Sequence, residues 1–145
     1  MKILLAVDDS PHSHRAVEFT AQMRWPPGSR ILVVTVIPAV VPVSAALESA
    51  ALHEPLSVQE DLRRYHEGMI DRVQQRLRCA GFAVEPRILE GDPRERILDL
   101  VEREAVSLLI LGSHGRTGIA RLLLGSVSSH AVVHSSCSVL VVKAA

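Results

Sequence analysis

Five short apolar runs punctuate the 145-residue chain: Ile3–Val7, Ile31–Ile37, Phe82–Leu89, Leu108–Leu111 and Val139–Val142. Each is bounded by turn or polar residues, and the first, second and fifth are rich in Ile and Val. Runs of that length and composition read as strands buried on both faces. The segments between them are long enough for helices and carry apolar residues at helical spacing. Ser10-Pro11 caps the first, whose inner stripe is Ala16, Val17 and Ala21. Ser57-Val-Gln-Glu60 is a capping box for the second; Leu62, Tyr65, Met69, Val73 and Leu77 form its stripe, and Gly81 stops it. Asp92-Pro93 with Glu95 opens the third, with Ile97, Leu100, Val101 and Ala105 facing inward. Gly125-Ser126 opens the fourth, ahead of Val127, Ala131 and Val132. Alternation of strand and helix implies an α/β fold, an open parallel sheet with helices on both faces.

At roughly 100–200 residues per domain, residues 1–145 are expected to form a single domain. The stretch Pro38–Pro55 is rich in Pro, Ala and Ser and exceeds the usual connection length. It reads as a mobile lid, a partner surface or a partly helical excursion. Sixteen basic residues balance sixteen acidic ones, which argues against a nucleic-acid partner, because phosphate neutralisation needs a basic face. Aromatic residues at 3% are too few for a base-stacking platform. Cys79 and Cys137 make no disulfide framework and read as small buried apolar residues. The tract Ile31–Leu47 is broken by Pro38 and Pro42 and is short for a membrane span. No signal peptide opens the chain. A cytoplasmic setting with no membrane partner is expected.

Open parallel sheets bind ligands beyond the carboxyl ends of their strands. Asp8-Asp9-Ser10 follows the first strand and Pro38 the second, while Gly112-Ser-His-Gly115-Arg-Thr-Gly118 follows the fourth. Glycines there let backbone approach a ligand and can adopt positive φ. Their N–H groups can form an anion-binding concavity, and Gly125-Ser126 adds a helix N-terminus. Arg116 and Arg121 add positive charge, so a polyphosphate fits. The plainer alternative is that these glycines only make turns and a cap. Neither G-x-G-x-x-G after the first strand nor a P-loop is present.

Gly112-x2-Gly115-x9-Gly125-Ser126 matches the G-2x-G-9x-G-[S/T] motif of ATP-binding universal stress proteins, which the chain resembles throughout. The resemblance includes the opening Lys2–Ser10, Gly91-Asp-Pro93 and the closing Ser138–Lys143. It implies a three-layer α/β/α sheet of order 3-2-1-4-5, Rossmann-like and of the adenine nucleotide alpha hydrolase type. It also implies ATP (or ADP/AMP) with Mg²⁺ across strands 1 and 4, and a nucleotide-dependent regulator of the stress response with a regulatory protein partner. By that resemblance Gly112, Gly115, Gly125 and Ser126 hold phosphates and ribose, Asp8 serves the nucleotide and its metal ion, Val36 lines the adenine and Ala6 offers backbone beside it. Ser113, His114, Arg116 and Val127 complete the nucleotide-binding set. The chain departs from the family at Ser107 and at Ser136-Cys137-Ser138, away from the motif.

Asp8 is weighed above Asp9, which is left exposed at the strand end. A carboxylate beside phosphates needs a bridging cation, and Mg²⁺ is held by one or two carboxylates plus phosphate oxygens. His114 either touches phosphate or is a loop side chain in water. His130 and His134 share helical spacing but lack a third ligand for zinc. Ser113 and His114 are neighbours expected to face differently, so no nucleophile–base pair is expected. Slow ATP hydrolysis is the alternative activity; a receiver-type phospho-acceptor domain fits less well. Strand 5 sits at a sheet edge with only Lys143 to discourage pairing, so a homodimer through 139–142 is expected.

Overall fold

A computed structural model of the chain describes residues 1–38, 55–115 and 124–144. Five strands and four helices alternate: β1 Lys2–Ala6, α1 Pro11–Gln22, β2 Arg30–Ile37, α2 Pro55–Cys79, β3 Ala83–Glu90, α3 Pro93–Arg103, β4 Leu108–Gly112, α4 Ser126–His134 and β5 Ser138–Val142. Every strand lies within one residue of its apolar run. All pairings are parallel and the sheet order is β3-β2-β1-β4-β5, the expected doubly wound arrangement.

Strand periodicity divides the core in two. Ile3, Leu5, Ile31 and Val33 pack with α1 and α2 residues on one face. Leu4, Ala6, Leu32 and Val34 pack with α3 and α4 residues on the other. Successive side chains of a strand point to opposite faces, so each central strand feeds both cores. β1 and β2 are buried almost throughout, whereas the edge strands β3 and β5 are only partly buried. The expectation of burial on both faces therefore fails for both edge strands, β3 and β5.

The caps of α1 and α3 formed as read. The Ser10 side chain accepts a hydrogen bond from the Ser13 amide, and that of Asp92 from the Arg94 amide. α2 begins at Pro55, two residues ahead of the Ser57–Glu60 box, which lies in its first turns and does not open it. Apart from its two end residues, the Pro38–Pro55 stretch lies outside the described residues.

The inner stripe of α2 is corrected at one place. His66, not Tyr65, is buried with Met69, Val73 and Leu77, and Tyr65 is exposed. Position 66 falls four residues after Leu62 and three before Met69, so it continues the helical row while 65 sits on its rim. Thr35 of β2 meets the imidazole, its hydroxyl 2.8 Å from Nδ1. Val132 is also exposed; α4 turns Val127 and Ala131 inward. Cys79 is exposed, contrary to expectation, whereas Cys137 is half-buried and packs against the core on the α3 and α4 face.

Two helices end in the same motif with different residues. At α2, Gly81 N–H donates to Arg78 O and Phe82 N–H to Leu77 O; at α3, Ala105 N–H donates to Glu102 O and Val106 N–H to Val101 O. Both are Schellman ends, which place the residue after the cap in the left-handed region. Gly81 accepts φ +90°, but Ala105 is held at +48°. That is why Ala105 is exposed, with Val106 taking the buried place expected of it.

These contacts carry three stability predictions. Ala105→Gly relieves the left-handed alanine and should raise unfolding free energy by about 1 kcal/mol, and Gly81→Ala should lower it by a similar amount. Thr35→Val keeps the shape of the side chain but removes the hydroxyl from buried His66, and should cost about 1–3 kcal/mol. Urea denaturation with unchanged m-values measures all three; a stabilised Thr35→Val protein would show that the hydrogen bond contributes nothing.

Candidate functional site

Beyond the carboxyl ends of β1, β2 and β4 lies a cavity of about 430 Å³. Its walls come from four places in the chain. The β1 end contributes Ala6, Val7 and Asp8; β2 contributes Val34, Val36 and Pro38; α3 contributes Pro93 and Ile97; and the β4 end with α4 contributes Leu111, Gly112, His114, Gly115 and Gly125–Ser128. One part of the lining is apolar, made by Val36, Pro38, Pro93 and Ile97. The other is backbone-rich and polar, made by the glycines, Asp8 and the start of α4. Amides in the first turn of a helix have no intrahelical acceptor, so this part suits oxyanions.

Asp8 is set by local structure. Its amide donates to Ser13 Oγ at 3.2 Å, and its Oδ1 accepts from the Ser10 amide at 3.2 Å. Ser10 Oγ in turn donates to the His114 carbonyl at 3.1 Å, joining the capped start of α1 to the glycine loop.

The motif glycines have a packing role beside any approach to a ligand, and they do not use the positive φ open to glycine. None of Gly112, Gly115 and Gly125 has positive φ. A Cβ on Gly112 would lie 2.7 Å from the His12 carbonyl carbon and 2.8 Å from the Ser13 amide nitrogen; one on Gly115 would lie 2.5 Å from Asp8 Oδ2; and one on Gly125 would lie 3.2 Å from the His114 Cα. The glycines let α1, the Asp8 carboxylate and the two halves of the loop close on one another. They shape the cavity by permitting this packing.

Ser113 is the residue through which these parts connect. Its amide donates to Val142 O at 2.8 Å, and its carbonyl accepts from the Gly125 amide at 2.7 Å and from Ser128 Oγ at 2.8 Å. Its hydroxyl lies 2.9 Å from His12 Nδ1 and 3.2 Å from His114 Nδ1. So Ser113 and His114 do meet, contrary to expectation. The serine is buried and does not line the cavity, so this hydroxyl is no exposed nucleophile.

Asp9 is not a solvated end. Held at φ +62°, it turns away from Asp8 and accepts a short hydrogen bond from the Tyr65 hydroxyl; its Oδ1 is 2.8 Å from His14 Nε2. The Tyr65 hydrogen bond, aided by His14, holds its carboxyl below the usual aspartate range. Asp92, which caps α3 at the cavity rim, is likewise lowered, chiefly by the Arg94 side chain.

Of the sequence-predicted site residues, Ala6, Asp8, Val36, Gly112, His114, Gly115, Gly125, Ser126 and Val127 share the cavity wall. Ser113 stands behind it, and Arg116, with Arg121, lies outside the described residues. Pro38, noted only as the residue after the second strand, also lines the cavity, as do Pro93, Ile97 and Ser128, which were not singled out for the site. The signal for two of them was available: Pro93 and Ile97 follow Gly91-Asp92 just past β3, another strand carboxyl end. His130 and His134 stack at 4.4 Å, and among the described residues no three His, Cys, Asp or Glu side chains are grouped to hold a metal ion. No helix among them is long and apolar enough to cross a membrane.

Comparison with known proteins agrees with this architecture. Over 74 residues the chain is 39% identical to universal stress protein MJ0577 of Methanocaldococcus jannaschii, a match spanning 51% of this chain but 46% of that protein. A second protein of that organism is matched at 31% identity over 51% of its length. A universal stress protein of Thermus aquaticus is 30% identical, with 97% of each chain covered. Among solved structures, that of MJ0577 superposes with a TM-score of 0.83 at 28% identity, covering 99% of this chain and 96% of the other. Two more share the fold: an Arabidopsis thaliana family member with AMP bound (TM-score 0.67, 21% identity, 100% and 92% covered) and an Archaeoglobus fulgidus one in complex with dAMP (0.69, 20%, 99% and 98%). The model of the universal stress protein family matches residues 1–143, and the chain belongs to that family.

Proposed function

We propose that this chain binds an adenine nucleotide, ATP or its ADP and AMP relatives, in the cavity at the β1–β4 ends, and that the nucleotide acts as a conformational ligand of a stress-response regulator. The observation that carries the reading is the cavity itself. Its volume of about 430 Å³ falls within the range of small-molecule sites, and its lining divides into an apolar part for a base and an amide-rich part for phosphates. The AMP and dAMP complexes of the two neighbours support the same ligand class. A regulatory protein partner would read the nucleotide-dependent surface. Residues 1–145 would act as one such domain, in the cytoplasm.

Mg²⁺ fits the polar end as a companion of the nucleotide. The Asp8 carboxylate, oriented by the Ser10 amide and packed against Gly115, supplies one protein oxygen, and phosphate oxygens would supply others. The ion would neutralise phosphate charge beside Asp8.

A homodimer through residues 139–142 belongs to the same reading. Val139, Leu140 and Val141 are half-buried and carry no charge, whereas the opposite edge, β3, carries Glu85, Pro86 and Arg87, which discourage pairing. Sedimentation at micromolar concentration should give twice the 15.8 kDa chain mass; a clean monomer would exclude the dimer.

The binding site is tested by titration with a fluorescent ATP analogue. Gly115→Ala must displace the Asp8 carboxylate and should weaken binding about tenfold or more, equivalent to about 1.4 kcal/mol. Asp8→Ala should weaken it in Mg²⁺ but much less in chelator. Unchanged affinity in Gly115→Ala would reject the site; equal weakening of Asp8→Ala with and without the ion would reject the metal role.

A further inference from the structure

His12, which does not line the cavity, sits at the junction of three parts of the chain. It belongs to the first turn of α1. Its Nδ1 lies 2.9 Å from Ser113 Oγ and accepts a hydrogen bond from the Ala144 amide at 2.9 Å, just past the end of β5. Its ring is 5.1 Å from that of His114.

The proton positions follow from this geometry. Because the Ala144 N–H points at it, His12 Nδ1 is an acceptor and carries no proton. Ser113 Oγ, 2.9 Å from that unprotonated nitrogen, is placed to share the nitrogen's single in-plane lone pair with the Ala144 N–H. The hydroxyl then accepts from His114 Nδ1, 3.2 Å away, in the tautomer that carries its proton there. The chain runs His114 to Ser113 to His12, with Ala144 converging on the same nitrogen. One end is on the cavity wall and the other is the exit of the edge strand.

We infer that His12 is a positioning residue that couples occupancy of the cavity to the closure of the C-terminal segment. The inference rests on the nucleotide reading above. A ligand packed against His114 restrains the loop, and so restrains Ser113. Ser113 also holds Val142 through its amide. Its hydroxyl steadies the His12 ring, and the ring holds Ala144. Opening of the Ala144 hydrogen bond therefore becomes rarer when the cavity is filled. Linkage makes the coupling reciprocal: the factor by which nucleotide suppresses the opening equals the factor by which the closed segment favours nucleotide.

The test is amide exchange at Ala144 in the full-length ¹⁵N-labelled chain, with and without saturating Mg-ATP, beside direct titration of affinity. In the wild type the nucleotide should slow Ala144 exchange about fivefold or more, the lower range of allosteric coupling. The ¹⁵N shift of His12 Nδ1 should be that of an unprotonated nitrogen. His12→Phe keeps a ring but no acceptor. It should abolish the ligand-dependent protection and weaken Mg-ATP by the same factor. His12→Asn places an amide oxygen near the Nδ1 position and should restore both, which a merely space-filling role for His12 would not predict. Should His12→Phe fail to fold, Ser113→Ala removes only the intervening hydroxyl and should lose the protection in the same way. Tight Mg-ATP binding with unchanged Ala144 exchange in the wild type would overturn the coupling alone. Weakened binding in His12→Phe without loss of ligand-dependent protection would do the same. No binding of Mg-ATP by the wild type would overturn the nucleotide reading and the coupling with it.

Discussion

The approach of α1 to the end of β4 is the constraint on which the site depends. A Cβ at Gly112 would sit 2.7–2.8 Å from His12 and Ser13, closer than real packing allows, so the helix start and strand end can touch only because one of them is glycine. From that contact the rest follows. With α1 seated there, Ser13 Oγ reaches the Asp8 amide, Ser10 Oγ reaches the His114 carbonyl, and His12 Nδ1 reaches Ser113. Each bond joins segments about a hundred residues apart or fixes a charged group at the cavity. A parallel sheet brings the strand ends to one side; the glycine contact turns that side into a defined cavity.

The sheet was legible because its information is local. Apolar runs of four to eight residues separated by capped helical segments leave few alternatives, and Ser10-Pro11 and Asp92-Pro93 start their helices as physical chemistry requires. Helix faces were harder to read where composition misleads. Tyr65 is apolar in bulk and histidine is usually polar, so the pattern favoured 65 over 66. The backbone places 66 on the inner row, and the Thr35 hydroxyl makes burial of imidazole tolerable. Ala105 shows the same limit: nothing in an alanine announces left-handed backbone, and the two buried valines of the motif, Val101 and Val106, hold the turn despite it.

At the site, the residues were legible but the packing among them was not. Spacing brought Gly112, Gly115 and Gly125 into view as close-approach positions. The neighbours that approach them are protein atoms from α1, Asp8 and the other half of the loop, and no periodicity in the chain reports a contact between residues 12 and 112. Ser113 was grouped with the ligand-binding residues, yet each of its backbone and side-chain polar groups is engaged by protein. Motif spacing locates a loop, but it does not distinguish the side chains that face the cavity from those that hold its wall.

The two ends of the sheet differ in a way that bears on how a ligand at its centre could be sensed. β3 pairs with β2 along eight positions, is crossed by α2 and α3, and carries Pro86 on its outer edge. β5 pairs with β4 along five positions and continues into Ala144, whose amide is held by His12. Local opening favours regions with few buried apolar contacts and exposed backbone bonds. Both edge strands are only partly buried and fit that description, whereas β1 and β2 at the centre are buried almost throughout.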